Sequence, residues 1–229
     1  MPIHLQREIE RLRKMLLSLC AVVEEDVRRA VQSVTARDSK LAEQVVRDDV
    51  EIDRAEIDVE EECLKILALH QPVAIDLRYI IAVLKLNNDL ERIGDLAVNI
   101  AQRALLLNAH APVDVPFDLP GLAARAQVMF RKSLDALVNL DAQTAREVCA
   151  MDDEVDEINR AMYEQVKQAI LVHPERLDSL IALLSVSRYL ERIADHATNI
   201  AEDVLYMIDG RIARHGSEFL ERAGRAEAS

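Results

Sequence analysis

A twenty-residue segment occurs twice in this chain, and this repeat constrains the fold more than any other feature. Residues 84–103, LKLNNDLERIGDLAVNIAQR, return at residues 184–203 as LSVSRYLERIADHATNIAED, without a gap and at an offset of 100. Both copies lie in stretches whose apolar residues alternate at spacings of four and three, the period of an amphipathic helix. In the first copy this apolar row is Leu86, Leu90, Ile93, Ala97, Ile100, Ala104 and Leu107. The repeat therefore predicts the same long helix in each half of the chain.

The composition extends the helical prediction to the whole chain. Only 5 glycines and 6 prolines occur among 229 residues, and aromatic residues make up 3%. Such a chain suits helices and offers few turns, so we predict an all-α fold. The net charge of -13 argues against broad binding to nucleic acid and against adsorption to anionic lipid.

Cysteine usage and hydropathy indicate a cytoplasmic protein. Cys20, Cys63 and Cys149 have no paired spacing, which suggests neither a disulfide framework nor a thiolate zinc site. No apolar run approaches the length of a membrane span, and the N-terminal residues do not follow the plan of a signal peptide. We therefore expect cytoplasmic localisation without direct membrane insertion.

Prolines and helical periods divide the chain into two similar halves. Predicted helices run over residues 3–35, from Asp38 or Ser39 to 70, over 74–108 and 122–138, from the cap Asp141 to 172, and from the break at 173–174 to 209. The proline-containing stretch 109–120 is the predicted linker, and Gly210 fits a helix C-cap. We predict tandem three-helix bundles over residues 1–110 and 118–210, then a tail, 211–229, with a short helix around 218–222.

Acidic pairs at helical spacing recur on two helices of each half. The pairs are Asp49 with Asp53, Glu91 with Asp95, Asp152 with Asp156, and Glu191 with Asp195. The midpoint between Asp49 and Asp95 is Pro72, and the midpoint between Asp152 and Asp195 falls between residues 173 and 174. An antiparallel hairpin that folds at these prolines therefore brings four carboxylates to one level, roughly 30 Å from the turn.

Four carboxylates on adjacent helices repel one another, and the nearby sequence offers only Arg92 and Arg192 as cations. A bound metal would remove this repulsion. Oxygen ligands favour Mg²⁺, Ca²⁺, Mn²⁺ or ferric iron, and Asn99 or Asn199 could add an amide oxygen. The alternative is that the pairs are ordinary solvated helix faces.

Other acidic or basic residues near the pairs are expected to be peripheral. No Glu-x-x-His pair follows Glu91 or Glu191, which disfavours a buried redox di-iron site. We expect His196, which has Leu96 as its counterpart, to be a surface or supporting residue rather than a ligand. The cluster 60–62, EEE, is expected to be solvated.

Three segments make the chain resemble the PhoU family of accessory regulators of bacterial phosphate-specific transport. They are QPVAIDLRYI at 71–80, DLERIGDLAVNIA at 89–101 and YLERIADHATNIAE at 189–202. The resemblance implies a cytoplasmic homodimer of two three-helix bundles whose Glu/Asp-x-x-x-Asp motifs hold iron or zinc. It also implies a negative regulator that links the ATPase of the phosphate ABC transporter to a sensor histidine kinase.

Two other functions stay open at this stage. One is an accessory regulator of a different phosphate permease, and the other is a metal-dependent hydrolase that uses the acidic residues. The sequence shows no Ser/His/Asp set and no phosphate-binding glycine loop, so we predict that the protein is not an enzyme. The sequence alone does not select a partner-facing surface; Asp76 and Arg78, near the hairpin turn and without clear counterparts in the second half, are the first residues to mutate in a search for one.

Overall fold

The computed structural model describes residues 3–114 and 117–210, and these residues form six long α-helices. The helices are α1 (Ile3–Thr35), α2 (Ser39–His70), α3 (Ala74–Asn108), α4 (Leu119–Asn139), α5 (Ala142–Val172) and α6 (Leu177–Asp209). A short 3₁₀ turn, Pro174–Arg176, precedes α6. Since the described residues contain no strand, the all-α prediction is confirmed. The helix predicted around 218–222, with the rest of the tail, lies outside the described residues.

Aspartate side chains fix where three of the helices begin. Asp38 accepts a hydrogen bond from the backbone nitrogen of the third residue of α2 at 3.1 Å, and Asp141 accepts one at 2.9 Å at the start of α5. Asp118 caps α4 in the same way at 2.9 Å. The predicted start of α4 at Leu122 is wrong by three residues, because Pro120 fits the first turn, where a missing backbone N–H is not needed.

The helices pack as two groups of three. Helices α1, α2 and α3 contact one another, as do α4, α5 and α6, and the two groups meet mainly through α3 and α6. The apolar row predicted for α3 is buried along its whole length. The fold class of two tandem three-helix bundles is therefore confirmed, while the exact boundaries 1–110 and 118–210 stay a prediction.

Polar contacts join α3 to α6 and show that these helices run antiparallel. Lys85 Nζ lies 3.0 Å from Asp203 Oδ1 and 4.8 Å from the centre of the Tyr206 ring. Further along α3, Asp89 Oδ1 lies 2.7 Å from Nδ1 of His196. Of the two roles expected for His196, that of a surface residue is wrong, because its side chain is only 13% exposed and links the two bundles.

Arginines from other elements cover the C-terminal ends of three helices. Arg37 donates to two carbonyl oxygens at the end of α3, at 2.8 and 2.6 Å, and Arg13 donates to the Val138 carbonyl of α4 at 2.9 Å. Arg78 packs against Gly210, the cap of α6, whose φ of 69° is left-handed. Cationic groups at these ends interact favourably with the helix dipole and with carbonyls that lack helical partners. Arg78, one of the two residues singled out for mutation, therefore contacts the end of α6 in its own chain.

Candidate functional site

The two acidic clusters lie where helical hairpins bring two helices side by side. We call Asp49, Asp53, Glu91 and Asp95 the first patch, and Asp152, Asp156, Glu191 and Asp195 the second patch. The first lies on α2 and α3, which are joined by the turn at Pro72, and the second lies on α5 and α6. Gly94 lets α3 approach α2 closely at the first patch, since a Cβ there would lie 3.1 Å from Ile52.

Burial and neighbouring charges raise the pKa of two carboxylates of the first patch, Asp49 and Glu91. For Asp49, burial raises the pKa most, and the charges of Asp53 and Asp95 raise it further. For Glu91, burial and then Asp95 raise the pKa, while Arg92 opposes them. The structure therefore brings these four residues within electrostatic range, as the hairpin count predicted.

The second patch is the more compact of the two. One carboxylate oxygen from each of Asp156, Glu191 and Asp195 lies within 4.8 Å of the other two, and no other group of three potential ligands this close occurs among the described residues. Burial and then the charge of Glu191 raise the pKa of Asp195 to about 6. Three negatively charged oxygens at this separation repel one another, and a cation bound between them would remove the repulsion.

The fourth residue of the second patch, Asp152, faces a cleft between the bundles. Thr198 Oγ1 donates to its Oδ1 at 3.3 Å, and burial raises the pKa of Asp152. The cleft has a volume of about 500 Å³ and is lined by α3, α5 and α6, including Asp152, Asp195 and Asp89. The second patch is thus open to solvent on the side that faces the other bundle.

Sequence reasoning missed several groups around the patches. Arg160 lies 3.8 Å from Asp156, and Arg188 lowers the pKa of Glu191 against the stronger effect of burial, so the second patch has cations besides Arg192. The i, i+4 spacing of Asp156 and Arg160 could have revealed the first of these contacts.

Two further expectations have different outcomes. Asn199 donates from Nδ2 to Asp89 at 3.4 Å, and the amide oxygen that Asn99 or Asn199 would offer to a metal stays a prediction. The expectation that all of residues 60–62 are solvated is wrong for Glu62, which is 6% exposed and accepts a hydrogen bond from Lys65 at 3.1 Å. A run of three glutamates does not indicate which of them is buried against a lysine.

Comparison with known sequences agrees with the duplicated architecture. The sequence model of the PhoU domain matches residues 16–104 and again residues 119–204. The chain belongs to the PhoU family. Each match covers one of the two bundles, so the internal repeat of the sequence is a repeat of this domain.

Curated relatives in the family are similar over most of their length. The phosphate-specific transport system accessory protein PhoU homolog of Pseudomonas aeruginosa is 36% identical over 209 residues, which are 91% of this chain and 86% of that protein. The homolog of the same name from Aquifex aeolicus is 34% identical over 209 residues, 91% of this chain and 95% of that protein.

Solved structures of the family have the same fold. The crystal structure of PhoU from Pseudomonas aeruginosa has a TM-score of 0.88 at 36% identity and covers 90% of this chain and 99% of that one. The phosphate transport system regulatory protein PhoU from Streptococcus pneumoniae has a TM-score of 0.82 at 25% identity, covering 91% and 99%. None of the described helices of this chain is long and apolar enough to span a membrane.

Proposed function

We propose that this protein is an accessory regulator of a phosphate-specific transport system, and that it restrains phosphate uptake and the phosphate-starvation response when phosphate is plentiful. Membership of the PhoU family supports this proposal, together with the names of relatives that match more than four-fifths of their own length. Its partners in this role are the ATPase of the transporter and a sensor histidine kinase. It acts in the cytoplasm as a homodimer and catalyses no reaction.

The observation that carries the proposal is the occurrence of the same acidic patch on both bundles. Mutually repelling carboxylates destabilise a fold, so their retention in both halves is best explained by a positively charged ligand. The donor set fits a hard cation, Mg²⁺, Ca²⁺, Mn²⁺ or iron, and carboxylates also bind zinc. Such an ion would join two helices of each bundle and change the charge that the surface presents to a partner.

The open position of the patches favours binding over catalysis. Asp53, Asp95 and Asp195 are exposed, and the other five carboxylates of the patches are half-buried. A hydrolase of this kind needs a site that excludes bulk water and positions a nucleophile. A charged face, by contrast, tunes the rate and specificity of protein association, and we expect partner binding that weakens with salt.

A deletion strain and a pull-down experiment test the regulatory role. Loss of the gene should leave phosphate uptake and starvation genes active in high phosphate, and the wild-type gene should restore repression. Purified protein should retain the transporter ATPase or the kinase at low salt. Normal repression in the deletion strain, or binding to neither partner, would refute the proposal.

A pair of neutral substitutions tests the role of the patches. Asp95→Asn together with Asp195→Asn should lower the metal content of the protein and abolish the rise in melting temperature that added metal produces. Metal binds only the folded chain, because the unfolded chain cannot assemble the patch, so binding must raise stability. Asp58→Asn, an exposed substitution elsewhere on α2, is the matched control. Unchanged metal content in the double variant would show that the patches are not the binding sites.

A further inference from the structure

The two patches differ in the residue that lies one helical turn after their aspartate pair, on α2 in the first bundle and on α5 in the second. Three residues beyond Asp53, α2 carries Glu56, whereas three residues beyond Asp156, α5 carries Asn159. The facing residues differ as well, since α3 carries Asn87 where α6 carries Ser187, at the same offset of 100 as the repeat. The first patch thus has a fifth carboxylate beside it that the second patch lacks.

Asn87 holds the Glu56 side chain in place. Its Nδ2 donates to the backbone oxygen of Glu56 at 2.9 Å and to Glu56 Oε1 at 3.1 Å. Both contacts are to acceptors, which fixes the orientation of the amide group. Asn87 is 1% exposed, so the residue is held by its surroundings as well as by these bonds. Glu56 is therefore fixed at one end of the first patch.

Glu56 and its partner Asn87 lie beside the patch, one on each of its two helices. Glu56 follows Asp53 by three residues on α2, and Asn87 precedes Glu91 by four residues on α3, so all four lie on neighbouring turns of the facing sides. In the second patch the residue that corresponds to Glu56 is the neutral Asn159. The same structural position therefore adds a carboxylate in one bundle and an amide in the other.

A second and independent observation points to a missing ligand. Oδ1 of Asn87 is buried and has no hydrogen-bond partner. A buried acceptor without a partner is unfavourable, and native proteins rarely leave one. The counterpart Ser187 has partners, since its Oγ donates to the Leu184 carbonyl at 2.8 Å and lies 3.5 Å from Asn159 Oδ1. A cation bound by Glu56, or a water molecule on that cation, would satisfy the amide oxygen.

We propose that Glu56 is a metal ligand of the first patch and that Asn87 positions it, so that the first patch holds more positive charge than the second. The ligand class is a hard cation with oxygen coordination, either one of higher charge or a second divalent ion beside the first. This inference rests on the proposed metal binding of the patches.

Isothermal titration of the full-length, chelator-treated protein with Mn²⁺, and separately with Zn²⁺, tests the proposal. The second patch is first silenced by Glu191→Gln with Asp195→Asn, so that the titration reports the first patch. In this background Glu56→Gln should weaken binding at least tenfold or lower the number of ions bound. The matched control is Glu51→Gln, the same substitution on the exposed opposite face of α2; it should leave binding unchanged.

A double-mutant cycle separates positioning by Asn87 from a purely structural role. Asn87→Ser should weaken metal binding when Glu56 is present and have no further effect in the Glu56→Gln protein, because both changes remove the same interaction. Equal binding by the Glu56→Gln and Glu51→Gln proteins overturns the inference while leaving metal binding by the patches intact. Absence of any Mn²⁺ or Zn²⁺ binding to the silenced background refutes metal binding at the first patch, and the inference with it.

Discussion

A buried carboxylate on α1 should make the protein less stable at neutral pH than a variant without it. Asp26 is 3% exposed, its Oδ2 has no hydrogen-bond partner, and its nearest cation, Arg29, is 3.7 Å from Oδ1. Counting twelve residues back from the caps Asp38 and Asp141, the corresponding position of the second bundle is the fully buried Met129. The first bundle thus buries a charge where the second buries an apolar side chain.

The magnitude follows from the pKa of Asp26, which burial raises from 3.8 to about 6. A difference of about 2 pKa units corresponds to about 3 kcal/mol between the charged and neutral forms. Since the folded pKa is the higher one, the folded chain gains a proton as the pH falls through 6, before the unfolded chain does. The penalty is therefore complete above pH 6 and disappears as the pH falls towards 4.

Asp26→Asn, which resembles the protonated side chain in size and shape, should remove this penalty. At pH 7.5 we expect the free energy of unfolding to rise by up to about 3 kcal/mol, and at pH 4 we expect the two proteins to be equally stable. Urea denaturation with a metal chelator present, at both pH values, measures the difference. Asp58→Asn, which neutralises an exposed carboxylate, should change stability little at either pH. A less stable Asp26→Asn protein at pH 7.5, or a difference independent of pH, would refute the reasoning.

Three further predictions concern helix ends and the second patch. Gly210→Ala should lower the free energy of unfolding by about 1 kcal/mol, because φ is 69° there and a Cβ would overlap Arg78. Thermal unfolding measures this loss. Adding Arg78→Ala to the same protein should restore only the part of the stability that the overlap removed. Arg37→Ala should cost about 1 kcal/mol by removing two hydrogen bonds to the end of α3, again measured by thermal unfolding, and an unchanged melting temperature would contradict it. Mn²⁺ binding at the second patch should weaken as the pH falls through 6, because Asp195, whose pKa is about 6, becomes protonated and is then a poor ligand. Titrations at pH 7.5 and pH 5 that give equal affinities would contradict this.

The fold could be predicted because its determinants are local. The apolar row of α3 specifies a helix and its buried face, and Asp38 and Asp141 begin helices through bonds to residues two or three positions away. The start of α4 was harder to predict because Pro120 is compatible with both a linker and the first turn of a helix. The choice between them depends on the cap supplied by Asp118.

The eight carboxylates of the patches could be predicted from their distance to the turn. In an antiparallel hairpin, residues that are equally far from the turn along the sequence lie side by side. Most groups that modify the patches could not be predicted, although Arg160, four residues after Asp156, is an exception. Thr198 reaches Asp152 and Asn87 reaches Glu56 through side-chain directions that depend on how the helices are rotated. The contact between Asp89 and His196 depends on the packing of α3 against α6. The sequence of either helix does not indicate which residues of the other it contacts.

The repeat itself separates what the two halves share from what distinguishes them. Most positions that are identical in both copies lie in the core, such as Leu90 and Leu190, or belong to the patches. A short polar contact between the bundles joins positions that differ: Asp89 faces His196, whereas their counterparts, by the same offset, are Tyr189 and Leu96. Because the polar contact exists on only one side of the pseudo-symmetric interface, each bundle has its own role there. Two copies of the same bundle would lack this contact, because Asp89 occurs only in the first bundle and His196 only in the second.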